Sequence, residues 1–316
     1  MRKWIALILI IAAVAAACAP EPARRQNGAR LRVVTTIGMI ADIAARIGGD
    51  RVAVEALMGP GVDPHLYKAS AGDVRRLAYA DLVLYNGLHL EAAMGEVLEE
   101  MDRWKPTVAV TEWIPESELT APPAFRGNFD PHVWFDVRMW MRAADRIEAA
   151  LIEADSANAA EYAARAAVVR SDLEALDAWV RERVSSLPPE QRVLVTAHDA
   201  FGYFGRAYGF EVMGLQGIST ASEAGTADVQ QLADEIVRRR IPAIFVETSI
   251  APRTIEAVQA AVRARGFDVA IGGTLYSDAL GSPGTPAGTY IGMVRSNVET
   301  IVTALSGGPF TVLERR

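Results

Sequence analysis

Apolar residues fall along this chain in two alternating rhythms. Short runs rich in Val, Leu, Ile and Thr at Leu31–Thr36, Val52–Leu57, Asp81–Tyr85 and Thr107–Val110 read as strands. Between them, Ile40–Ile47, Ala71–Ala78 and Leu90–Glu100 read as helices. A second series begins near Arg192. It has strands at Val193–Ala197, Glu211–Met213, Ala243–Val246 and Asp268–Ile271, with helices at Phe201–Tyr208, Ala227–Arg239, Pro252–Arg265 and Thr289–Leu305. Alternation of this kind predicts βαβ units, so the chain reads as α/β: two parallel-sheet lobes with flanking helices.

A different pattern joins the two series. From Ser156 to Leu187 no Gly or Pro interrupts the chain, and Val169, Leu173, Leu176, Val180 and Val184 form a single apolar stripe. Ser185-Ser186 and Pro188-Pro189 close it. One helix about 45 Å long is expected, a rigid backbone strut rather than a turn. The organisation is then an N-terminal lobe over 31–155, a linking helix over 156–188 and a C-terminal lobe over 189–316.

The first residues follow neither rhythm. Arg2 and Lys3 precede an unbroken apolar run, Trp4 to Ala17, that falls short of the roughly 20 residues a bilayer span needs. Residues 1–17 therefore read as a secretory signal peptide. Ala16 and Ala17 before Cys18 resemble a lipobox, although Ala15 stands where Leu is usual. Cys18 is the expected lipidation site, and residues 18–30 a flexible tether after it. The expected location is exported and lipid-anchored, on the extracytoplasmic side of a bacterial membrane. An ordinary signal peptide cut nearby is the alternative. Because Cys18 is the only cysteine, disulfide frameworks and thiolate metal clusters are excluded. The net charge of -7 argues against nucleic acid as a partner.

Chemistry concentrates at the histidines, of which the chain has only 4. His65 and His132 both end the tripeptide Asp-Pro-His, at Asp63-Pro64-His65 and Asp130-Pro131-His132. Proline stiffens the backbone that presents each ring, which suits a metal ligand. Asp63 and Asp130 themselves read as turn formers that proline points away from the imidazole. The loop 114–129, with its Pro and Gly residues, leads into the second motif. His198 follows the strand Val193–Ala197, and Asp278 lies a short way past Asp268–Ile271. Both sit at the C-terminal edge of parallel strands, where open α/β sheets bind ligands. Two imidazoles from one lobe, with an imidazole and a carboxylate from the other, make an N/O set suited to zinc, manganese or ferrous iron. Glu247 ends another strand on that side, as an acceptor that orients a ligand histidine or as a helix cap.

At these residues the chain resembles the zinc/manganese group of solute-binding proteins of ABC importers. The resemblance covers about Leu31 to Leu305. Its markers are Gly61-Val62-Asp63-Pro64-His65-Leu66-Tyr67, Asn86-Gly87-Leu88-His89-Leu90-Glu91, Asp130-Pro131-His132-Val133-Trp134-Phe135-Asp136, His198-Asp199-Ala200-Phe201-Gly202-Tyr203-Phe204 and Leu275-Tyr276-Ser277-Asp278-Ala279-Leu280-Gly281. It implies two lobes joined by one long helix, and His65, His132, His198 and Asp278 as ligands of a transported divalent metal. It implies an ABC permease as partner, and His89 and Glu91 as lobe-interface residues outside the ligand set. His198 favours zinc, since manganese members often carry Glu there. The loop 114–129 lacks the histidines that many zinc members carry.

The expectation is a monomeric, non-enzymatic carrier with small lobe motions and a local rearrangement near Asp278. Zinc is favoured, with manganese next and iron as a further candidate. Alternatives are a zinc hydrolase, a surface adhesin lipoprotein with a structural metal, and an organic-solute binder. The chain has no His-Glu-x-x-His, which speaks against the hydrolase.

Overall fold

The computed structural model describes residues 29–125 and 127–307; the expected signal peptide and Cys18 lie outside them. The first lobe holds β1 (Leu31–Thr35), β2 (Val52–Ala56), β3 (Leu82–Tyr85) and β4 (Thr107–Ala109) in the order β2-β1-β3-β4. All pairs are parallel. Position in the sheet follows from sequence: Leu82-Val83-Leu84 is buried throughout, while Val52–Ala56 alternates towards solvent and forms the edge. Helices α1 (Gly38–Gly48), α2 (Ala71–Tyr79) and α3 (Gly95–Asp102) connect the strands. The expected helix at Leu90–Glu100 is instead a 3-10 turn, Ala92–Met94, followed by α3.

Two helices follow. α4 (Val137–Ala154) was not anticipated. Its N-cap Asp136 accepts from the N–H groups of Arg138 and Met139, and it buries Val137, Trp140, Ala144, Ile147 and Leu151 along one face. That stripe has helical spacing and follows directly on the motif Asp130-Pro131-His132-Val133-Trp134-Phe135-Asp136. α5 (Ala159–Ser185) is the expected long helix, entered by a 3-10 turn at Ser156–Asn158. Its 27 residues reach about 40 Å. The predicted stripe, Val169, Leu173, Leu176, Val180 and Val184, is buried.

The second lobe repeats the plan. β5 (Val193–His198) pairs in parallel with β6 (Glu211–Gln216), and β7 (Ala243–Glu247) pairs in parallel with β8 (Ala270–Leu275). These are two two-stranded sheets, β5-β6 and β7-β8, with β5 lying close to β7. α6 (Gly202–Tyr208), α7 (Thr226–Arg239), α8 (Arg253–Ala264) and α9 (Tyr290–Leu305) complete it. β6 and β8 run further than the pattern predicted, through Gly214 and Gly272-Gly273.

α5 packs against α1 and α4 of the first lobe and against α6 and α9 of the second. One apolar cluster runs through Leu31, Leu84, Trp140, Leu173, Phe204 and Ile301, so the lobes share a core behind the sheet edges. Because each sheet is parallel, all its C-terminal edges fall on one side. That side carries the histidine-bearing segments.

Candidate metal centre

His65 sits in the loop after β2, His132 in the segment between β4 and α4, His198 at the end of β5 and Asp278 just past β8. The structure brings all four together. One donor atom from each lies within 4.8 Å of every other, and all four residues are buried. His65 Nε2 is 3.2 Å from His132 Nε2. Asp278 Oδ1 is 3.4 Å from His132 Nε2, and its Oδ2 is 3.4 Å from His198 Nε2. Donors around a tetrahedral zinc at about 2.0–2.1 Å stand about 3.3 Å apart, so these separations fit shared ligation. His198 Nε2 and Asp278 Oδ1 are buried with no hydrogen-bond partner. Two such orphans in one cluster call for a further partner, and a divalent cation fits that role.

Local structure explains the aim of each ring. In both Asp-Pro-His turns the aspartate Oδ1 accepts the N–H of the histidine two residues on, at 2.9 Å for Asp63 and 3.0 Å for Asp130. Asp130 departs from the expectation that it would point away: its Oδ1 also lies 2.7 Å from His132 Nδ1. Proline fixes φ but leaves the aspartate side chain free to fold back over the turn. Glu247 plays a matching part for His198. Its Oε2 is 2.6 Å from Nδ1, and its Oε1 accepts the His198 N–H at 2.9 Å. An ionised carboxylate only accepts, so Nδ1 carries the proton on both rings and Nε2 faces the cluster.

Asp278 is fixed differently. The Ser249 hydroxyl donates to its Oδ2 at 2.8 Å, and Trp134 Nε1, from the first lobe, donates to the Ser277 carbonyl at 3.0 Å. Sequence reasoning missed Ser249 and the Trp134 bridge, because neither leaves a local pattern. Glu91 is buried and accepts from Thr36 Oγ1 and from the N–H groups of Asn86 and Gly87. Asn86 Nδ2 in turn donates to the Pro131 carbonyl, which ties that loop to the His132 turn. His89 lies outside the cluster, exposed and edge-on to Phe125.

Burial holds the His65 imidazole neutral, with its pKa lowered to about 3. Burial opposes charge on His132 as well, yet the hydrogen bond and charge of Asp130, with the nearby charge of Asp278, lift it to about 9. Burial also opposes charge on His198, but the carboxylates of Glu247 and Asp278 raise its pKa well above the ordinary value. Asp278 is held ionised by the same two imidazoles against the cost of its burial. A metal bound at this cluster would have to displace the proton that His132 holds near neutral pH, so capture there would weaken as the pH falls.

Two lobes on a shared core, with three imidazoles and a carboxylate converging from both, define a binding protein whose site fits a divalent metal. The chain belongs to the family described as ZnuA, zinc-uptake complex component A, periplasmic, which matches residues 33–304. It is 54% identical over 274 residues to the zinc-binding protein TroA of Treponema pallidum, covering 87% of this chain and 88% of that protein. It is 47% identical over 307 residues to the manganese-binding lipoprotein MntA of Bacillus subtilis, covering 96% and 100%. The iron-binding protein YfeA of Yersinia pestis is 34% identical over 272 residues, covering 86% and 85%. The solved structure of periplasmic zinc-binding TroA from Treponema pallidum superposes with a TM-score of 0.86 at 53% identity, covering 88% of this chain and 99% of that one.

Proposed function

We propose that this protein captures a divalent transition metal outside the cytoplasm and delivers it to the permease of an ABC importer. Zinc is the first candidate cargo, manganese the second and iron the third. His65, His132, His198 and Asp278 are the ligands, and Asp130 and Glu247 orient two of the rings. Four buried donor atoms from both lobes, within 4.8 Å of one another, carry this reading. Asp278 presents one oxygen to each of two imidazoles, which suits ligation through both. The names of the relatives support zinc, manganese and iron as cargo.

The residues favour holding over hydrolysis. Asp130 and Glu247 are each engaged by an imidazole, and Asp63 accepts from the His65 N–H and from Thr220, so none of the three is free to act as a base on bound water. The description of the Bacillus relative as a lipoprotein supports export by residues 1–17, lipidation at Cys18 and a tether over 18–30. Lobes over 31–155 and 189–316, joined by the 156–188 helix, and a monomeric carrier complete the proposal.

Elemental analysis of the purified protein is expected to find one divalent metal per chain, with zinc displacing manganese in competition, following the Irving–Williams order. A protein that takes up neither metal in titration sinks the reading. Glu247→Gln keeps the shape and removes the charge behind His198. Its zinc affinity is expected to fall about 10–100-fold, read by chelator competition. Unchanged affinity removes the orienting role of Glu247.

A further inference from the structure

The four residues of the cluster are not held equally. His132 is braced through Nδ1 by Asp130, and His198 by Glu247. Asp278 is braced by Ser249, and its loop by Trp134. His65 is held through its backbone N–H, by Asp63 Oδ1. The other oxygen of that same carboxylate accepts a hydrogen bond from Thr220 Oγ1 at 2.6 Å. Thr220 is buried in the loop between β6 and α7, on the opposite lobe. Asp63 therefore links the placement of His65 directly to contact between the lobes.

The surroundings of the two loops point the same way. Gly59, Pro60 and Gly61 before Asp63 are exposed, and Leu66 after His65 is 52% exposed, whereas Ser277, Asp278, Ala279 and Leu280 are buried. The far end of the His65 loop is tied to its own lobe, where Tyr67 donates to Asp73 at 2.9 Å. Its near end leans on the other lobe: a Cβ added at Gly61 would stand 3.3 Å from the Thr248 carbonyl. The segment carrying His65 is thus the more exposed of the two, and it meets the other lobe through the Asp63–Thr220 hydrogen bond described above.

Resting on the reading of this site as a metal carrier, we infer that the Asp63–Thr220 hydrogen bond is the latch that sets the rate of cargo release, with His65 the first ligand to leave. Thr220 and Asp63 are positioning residues: they act on the metal through His65. This moves the expected local rearrangement from the Asp278 segment to the loop after β2.

The test uses zinc-loaded protein mixed with excess chelator in stopped flow. Thr220→Val removes the hydroxyl and keeps the shape. It is expected to release zinc about tenfold faster, the scale of one lost hydrogen bond to a carboxylate. Thr220→Ser is expected to restore wild-type release. The visible spectrum of the cobalt-loaded Thr220→Val protein is expected to keep its wild-type bands, since all four ligands remain. Wild-type release by Thr220→Val, or fast release that Thr220→Ser does not rescue, overturns the latch. His65→Ala separates the two levels: if it holds zinc as tightly as wild type, the ligand assignment fails, whereas weak binding by His65→Ala beside wild-type release by Thr220→Val fails the latch alone.

Discussion

Asp278→Asn is expected to lower zinc affinity more than about a hundredfold, beyond the range typical of residues that only orient a ligand. The substitution preserves volume in a buried position but removes the negative charge at the centre of three imidazoles. Both carboxylate oxygens face rings, at 3.4 Å each, so an amide can offer only one acceptor and turns a donor towards the other ring. Metal binding also loses charge neutralisation in a site shielded from water, where it counts most. Chelator competition gives the affinity, and circular dichroism of the variant verifies the fold. Zinc binding at wild-type strength by a folded Asp278→Asn protein would falsify the ligand assignment.

The second large effect is on stability. Zinc at a thousandfold excess over its Kd should stabilise the native state by about 4 kcal/mol, because the ligand set is assembled only on folding. For a chain of this size that corresponds to a rise of roughly 6 °C in Tm. Thermal scans with zinc and with chelator measure it. The shift should vanish in Asp278→Asn, and a rise that survives there would place the stabilising metal elsewhere.

Much of the site was legible because histidine is scarce and its contexts are distinctive. The repeated Asp-Pro-His and the strand-end positions of His198 and Glu247 led to residues that the fold brings into one cluster. The long helix was legible because nothing in it breaks the stripe from Val169 to Val184. Strand ends were less so, and glycine explains why. The expected strands Glu211–Met213 and Asp268–Ile271 stop short of Gly214 and Gly272, whereas β6 runs to Gln216 and β8 spans Ala270–Leu275. In the structure both glycines are strand residues whose lack of a side chain permits close packing: a Cβ at Gly214 would lie 2.4 Å from the Asp199 nitrogen, and one at Gly272 2.8 Å from the Phe245 ring. Asp130 departs from its turn-former expectation because proline restrains the backbone and leaves the aspartate side chain free to reach His132 Nδ1. Thr220, Ser249 and the Trp134 bridge depend on pairings between distant segments, for which a single sequence carries no local signal.

The apolar interior common to both halves has a consequence for the importer. A carrier hinged like a clamshell can report loading by swinging shut, but here such a swing would tear open a continuous hydrophobic interior. With the latch proposed for Asp63 and Thr220, a receiving membrane protein would tell a loaded carrier from a spent one by the shape and firmness of small surface features around the cation, foremost the stretch from Gly59 to Leu66.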